Sequence, residues 1–136
     1  MRSWLWAAGI GGLLIAGGVP MRAHHAFAAE FDINRPVQLT GTITRVEWIN
    51  PHAWIHVEVK KPDGSMEEWA IETGTPNTLL RRGLKRDDLP VGIVIKVSGY
   101  QSKDGSNRAN GTNVSLPDGR NLFLGSSAGT PGTPRE

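Results

Sequence analysis

The sequence predicts an all-β fold with one short helix. Three observations carry that expectation: alternating apolar and polar residues over 37–48, 53–60, 65–72 and 93–100, Pro-Asp-Gly triplets at 62–64 and 117–119, and a single helix signature at 75–83. Alternation with period two turns one face of each stretch toward a core, and Pro-Asp-Gly favours chain reversal between strands.

In order, "VQLTGTITRVEW" from Val37 is the first strand, with Val37, Leu39 and Ile43 as apolar positions. Gly41 inside it marks an expected bulge or sharp bend. "INP", 49–51, ends the strand because Pro51 has no N–H to give a ladder. "AWIHVEVK", 53–60, and "SMEEWAIE", 65–72, form a hairpin about the "KPDG" turn. "GTPNTLLRRGL" is a short helix over 76–82, with Thr75 as cap, Pro76 at the first position and Gly83 as the stop. "KRDDLPVG" reads as a loop, "IVIKVSGY" as the next strand and "QSKDGSNRANG" as a polar loop. "TNVSLPDGRNLFLG" supplies a short strand, a turn and another strand. The order β-β-β-α-β-β is that of a small OB-like five-stranded barrel, whose first strand must bend hard. A β-sandwich is the alternative, and an open meander capped by a helix is a second.

The ends are of another kind. "WLWAAGIGGLLIAGGV", 4–19, is uncharged, follows Arg2 and stops at Pro20. This is the layout of a secretory signal peptide over 1–23. An uncleaved anchor is the competing reading, but the run falls short of the roughly 20 residues that a bilayer needs. Residues 24–125 form the expected domain, and the small polar tail 126–136 is expected to be disordered. The mature protein is expected in the periplasm or outside the cell, with no membrane insertion after cleavage. The chain has 15 Lys and Arg against 13 Asp and Glu; losing Arg2 and Arg22 with the signal leaves 13 against 13. A balanced charge argues against nucleic acid as a partner. With no cysteine there is no disulfide, thiolate nucleophile or thiolate metal site.

No phosphate loop, dinucleotide fingerprint, nucleophile elbow or H-E-x-x-H segment is present, so binding is expected rather than catalysis. The four histidines remain: His24, His25, His52 and His56. Cleavage after Ala23 makes His24 the first residue, offering its free amine and ring nitrogen to one ion, with His25 or His52 as third donor. Nitrogen donors of this kind suit Cu(II). Cleavage one residue earlier exposes Ala-His-His, which can also wrap Cu(II) or Ni(II). Cleavage after Ala28, at "AFA", would discard both histidines. In the 53–60 strand, His52, Trp54, His56 and Glu58 share one face, and Ala53, Ile55, Val57 and Val59 share the apolar one. His52 and His56 are then about 13 Å apart and do not grip one ion together. Trp54, His56 and Asn50 are the candidate contacts for a small ligand or a periplasmic or membrane protein partner, with no metal, on an aromatic strand face. Core packing is the competing role for the histidines and for Trp48, Trp54 and Trp69.

Four segments, "AHHAFAAEFD", "LTGTITRVEWINPHAWIHVEV", "GTPNTLLRRG" and "DGSNRANGTNVSLPDGRNLF", together resemble a family of small exported bacterial proteins of unknown function. The resemblance covers about residues 23 to 126. The paired histidines before Phe27 and the "NPHAW" block are its most specific parts. It implies export and the extent of the domain, and no activity. A weaker likeness is to small periplasmic copper carriers with OB barrels, which hold Cu(I) through His, Met and a capping Trp. His52 and Trp54 are present and Met66 lies on the neighbouring strand, but Met1 and Met21 belong to the signal, so the paired methionines are missing.

Overall fold

A computed structural model describes residues 27–125. The expected signal peptide, His24, His25 and the expected tail lie outside the described residues. A helical turn at 27–30 leads into β1 (Phe31–Glu47). There follow β2 (Trp54–Lys60), β3 (Met66–Glu72), α1 (Pro76–Arg81), a 3-10 turn at Arg86–Asp88, β4 (Val94–Ser102), β5 (Arg108–Ser115) and β6 (Asn121–Phe123). The described residues are thus mostly β, with one short α-helix beyond the helical turn at 27–30. Among the described residues no helix is long and apolar enough to cross a membrane.

All six strands belong to one sheet, in the order β3-β2-β1-β4-β5-β6, with a further pairing of β3 to β5. That pairing is parallel, Ala70 to Arg108 through Glu72 to Asn110, and it closes β1-β2-β3-β5-β4 into a ring. The ring leaves no second sheet among the described residues, so the alternative of a sandwich does not form there.

β1 serves two neighbours. Its Pro36–Thr42 stretch pairs with Tyr100–Val94 of β4, and its Gly41–Glu47 stretch pairs with Val59–Trp54 of β2. The expected irregularity is present, but between Ile43 and Arg45 rather than at Gly41. Polarity explains the site. Leu39 and Ile43 face the core at odd positions, whereas Val46 and Trp48 pack on it at even ones. An uninterrupted strand would turn Arg45 and Glu47 inward; one extra residue reverses the phase and leaves them on the outer face. Gly41 has a separate role. A Cβ there would lie 2.8 Å from the Glu58 carbonyl oxygen and 3.1 Å from Val57 Cβ, so β2 can cross closely only over a glycine.

The hairpin register follows from its turn: Lys60 pairs with Met66, His56 with Ala70 and Trp54 with Glu72. Ile55, Val57, Ile71, Ile95, Val97, Ala109 and Val114 line the ring interior, each almost fully buried. Leu79 of α1, Leu84 and Leu89 join the same cluster. α1 has the expected signals: Thr75 Oγ1 accepts from Thr78 N–H at 3.1 Å, Pro76 opens the helix and Gly83 follows it at φ +86°. β1 begins six residues earlier than its alternation suggested, and β5 starts inside the expected polar loop.

Candidate functional site

The outward face of β2 is where the structure gathers chemistry. His52 stands just before β2, with its Nδ1 2.9 Å from the Thr73 carbonyl oxygen. A carbonyl only accepts, so Nδ1 carries the hydrogen and the other nitrogen, Nε2, presents its lone pair in the neutral ring. Nε2 lies 3.7 Å from Glu72 Oε1. The imidazole side chain is 37% exposed and the Glu72 side chain 12%. Burial pushes the Glu72 carboxyl above its usual range, with His52 opposing, Glu30 adding to the rise and Arg108 opposing.

The ring closure completes the surroundings. The parallel step from β3 to β5 sets Arg108 beside Ala70 and Asn110 beside Glu72. The Arg108 guanidinium lies 5.4 Å from the Trp54 ring centroid and 3.4 Å from Glu30 Oε2. Glu30 is fixed in turn: its carbonyl accepts from Lys103 N–H at 2.9 Å and from the Ser102 hydroxyl at 3.3 Å. Phe27, one turn earlier, packs on Phe31 at 5.9 Å and edge-on to Tyr100 at 5.8 Å. The entry segment is therefore tied down beside the His52–Glu72 pair.

His56 has a different environment. It lies on the outer face yet is only 7% exposed. Its Nε2 is 2.8 Å from Glu47 Oε2 and its Nδ1 is 3.3 Å from Glu68 Oε1. Arg45 Nη2 also lies 3.1 Å from Nε2, and Arg45 Nη1 donates to Glu47 Oε1 at 3.3 Å. The shorter contact, to an oxygen that only accepts, places the hydrogen of Nε2 toward Glu47. His56 thus stands between Glu47 of β1 and Glu68 of β3, with Arg45 Nη2 also 3.5 Å from its Nδ1. Asn50, by contrast, sits exposed in the bend before His52.

The same contact makes a pH prediction. The His56 hydrogen bond is the largest cause holding the Glu47 carboxyl below its ordinary value of 4.5, with Arg45 and the His56 charge helping against partial burial. A lowered folded-state value stabilises the fold above the usual carboxylate range, and this contribution is lost as pH falls through it. Thermal melts of Glu47→Gln and the wild type are expected to diverge above about pH 5 and converge in acid, below the ordinary value. Parallel curves at every pH would discard the His56–Glu47 bond as the cause.

Trp69 is a core residue, 6% exposed, with its indole N–H donating to Glu67 Oε1 at 2.9 Å. Trp48 is half-buried against the core. Trp54 is half-exposed on the outer face, and Arg108 already lies over its ring. Met66 pairs with Lys60 at the far end of the hairpin, about 20 Å along the strand from Glu72. It cannot share an ion with His52. Among the described residues no three His, Asp or Glu side chains converge as a metal site. At His52 they bring together one imidazole and one carboxylate, that of Glu72.

Glu30, Glu72 and Arg108 were not singled out by sequence reasoning. Glu72 was within reach, since counting back from the "KPDG" turn pairs it with Trp54. Arg108 had no local signal, because its place comes from a contact between distant strands. No curated protein and no solved structure matches the chain. A family model described as a family of unknown function, DUF6152, does match, over residues 12–113, which include His24, His25, His52, Trp54, Glu72 and Arg108. That match spans most of the chain, and the protein belongs to the DUF6152 family.

Proposed function

We propose that this is an exported periplasmic protein that binds a copper-type ion. After cleavage behind Ala23, His24 contributes its amine and ring nitrogen, and His25 or His52 adds a further imidazole. The observation that carries this reading is the orientation of His52. Its Nδ1–H is anchored on the Thr73 carbonyl, so its Nε2 lone pair faces outward beside a carboxylate. Metal-binding histidines are commonly oriented by such a second hydrogen bond.

Chain length supports the assignment. Glu30 is held by Lys103 and Ser102 next to Arg108, which borders Trp54 and the Glu72 carboxylate. His25 is five residues upstream of Glu30, and five residues extend no further than about 18 Å. A tether of that length allows an N-terminal donor to reach the Arg108–Glu72 end of this face.

Intact mass of the exported protein should first place His24 at the N-terminus. Cu(II) titration of that protein is then compared with a form carrying an extra N-terminal Gly-Ser. The extension removes the amine and ring pair from a single residue, and affinity should fall at least about tenfold, the equivalent of 1.4 kcal/mol. Equal affinity removes the terminal-amine mechanism. A mature chain that starts at Ala29 removes it as well.

A further inference from the structure

We infer that Glu72 is the oxygen ligand of this ion, and that the His52–Glu72 pair directs the site to Cu(II) rather than Cu(I). This inference rests on the metal-binding reading above and adds a residue and a charge state to it.

Geometry comes first. His52 Nε2 and Glu72 Oε1 are 3.7 Å apart. With metal–ligand bonds of about 2.1 Å, an ion between them would subtend an angle of about 125°. Closing the pair by ~0.3 Å gives a tetrahedral angle, and closing by ~0.7 Å gives the right angle of a square-planar site, at the same bond length. Both adjustments are within the reach of a small side-chain rotation. The two groups are also held on different elements, one before β2 and one at the end of β3, next to each other through the Trp54–Glu72 register.

The carboxylate itself points the same way. Glu72 is largely withdrawn from water, and across from its carboxyl stands the His52 imidazole, 3.7 Å away and a charge partner only when protonated. Withdrawing a carboxylate from water is costly unless a cation compensates it. Arg108, the cation on the neighbouring strand, makes its ion pair with Glu30 instead and lies over Trp54. A divalent ion at His52 Nε2 would give the Glu72 oxygen a close positive partner that the described side chains do not supply at short range.

Donor chemistry then selects the oxidation state. Imidazole and carboxylate suit Cu(II), whereas Cu(I) is favoured by thiolate and thioether sulfur. The chain has no cysteine, and Met66 is at the opposite end of the hairpin. Nothing soft reaches His52 from the described residues.

The test uses the processed, full-length mature protein and its Glu72→Gln, Glu72→Asp and His52→Ala forms. Cu(II) affinity is read by competition with a chelator, Cu(I) affinity under reducing conditions with a Cu(I)-specific competitor, and the Cu(II) environment by electron paramagnetic resonance. Glu72→Gln should lose about tenfold in Cu(II) affinity and change the copper hyperfine splitting, with Cu(I) affinity unchanged. Glu72→Asp, which keeps the carboxylate, should retain part of the affinity. Melts of the metal-free proteins separate loss of a ligand from loss of the fold; if the Gln form does not fold, the Asp spectrum decides, since a ligating carboxylate moved by one methylene must alter it. Wild-type affinity and spectrum in both Glu72 variants, with binding lost in His52→Ala, would overturn the role of Glu72 and leave copper binding intact. Wild-type protein that takes up no Cu(II) overturns both readings.

Discussion

Gly99→Ala is expected to be the most damaging single substitution in the domain. Gly99 lies in β4, opposite Gly111 of β5 at the register shift between Ser98 and Gly99. A Cβ on it would stand 2.2 Å from the Asn110 carbonyl oxygen and 3.2 Å from Gly111 Cα. Every one of these neighbours is backbone, so no side-chain rotation relieves the contact. The strands themselves must separate by about 1 Å, to restore ordinary non-bonded distances, at the very pairing that carries Asn110 beside Glu72. Overpacking of this kind costs about 1–3 kcal/mol and more where the backbone cannot yield. A loss of about 3 kcal/mol in a domain of this size lowers the melting midpoint by roughly 12–24 °C. Ser98→Ala on the preceding residue is the control. It removes a hydroxyl that donates to Gln38 Oε1 at 3.2 Å on the exposed face, and should shift the midpoint by only a degree or two. Similar midpoints for the two variants would refute the close-approach argument.

His52→Ala carries the largest expected effect on binding. The substitution removes the one described imidazole whose outward nitrogen is oriented by a backbone carbonyl. It also removes the ring nitrogen that faces the Glu72 carboxyl at 3.7 Å. Cu(II) affinity of the processed protein should fall by at least about a hundredfold, the upper end of what merely disturbing a ligand's orientation costs. His56→Ala should behave in the opposite manner. Its ring is enclosed by Arg45, Glu47 and Glu68, so its loss should lower the melting midpoint and leave Cu(II) affinity within about twofold. Competition titrations and melts on the two proteins give a double dissociation. A His56 variant that loses copper as strongly as the His52 variant would place the ion elsewhere on this face.

Much of the architecture was legible in the residues. The alternation in "AWIHVEVK" separated Ile55 and Val57, now in the core, from Trp54 and Glu58 on the other face. The "KPDG" turn set the hairpin, and Thr75, Pro76 and Gly83 bracketed α1 as written. The first residues of β1 were missed because "FDINRP" offers little apolar period, and they owe their place to Phe31 pairing with Ser102 and packing on Phe27. β5 was missed at its start because "RANG" is polar and glycine-bearing. It is a strand there because β3 and β4 supply a ladder on each side. The outward face of β2 implied an accessible His56, but neighbouring strands bring Glu47 and Glu68 over it.

Periodicity, turn chemistry and helix caps are properties of a few adjacent residues, and so the all-β class, the hairpin and the capped helix can be read from the chain alone. The joining of β3 to β5 spans 38 positions, from Ala70 to Arg108, and depends on the summed burial of the whole core. Only that closure sets Arg108 and Glu30 around Trp54 and Glu72, and only the packed turn at Thr73 orients His52. Local sequence determines which way a side chain faces; its companions there are decided when distant strands meet.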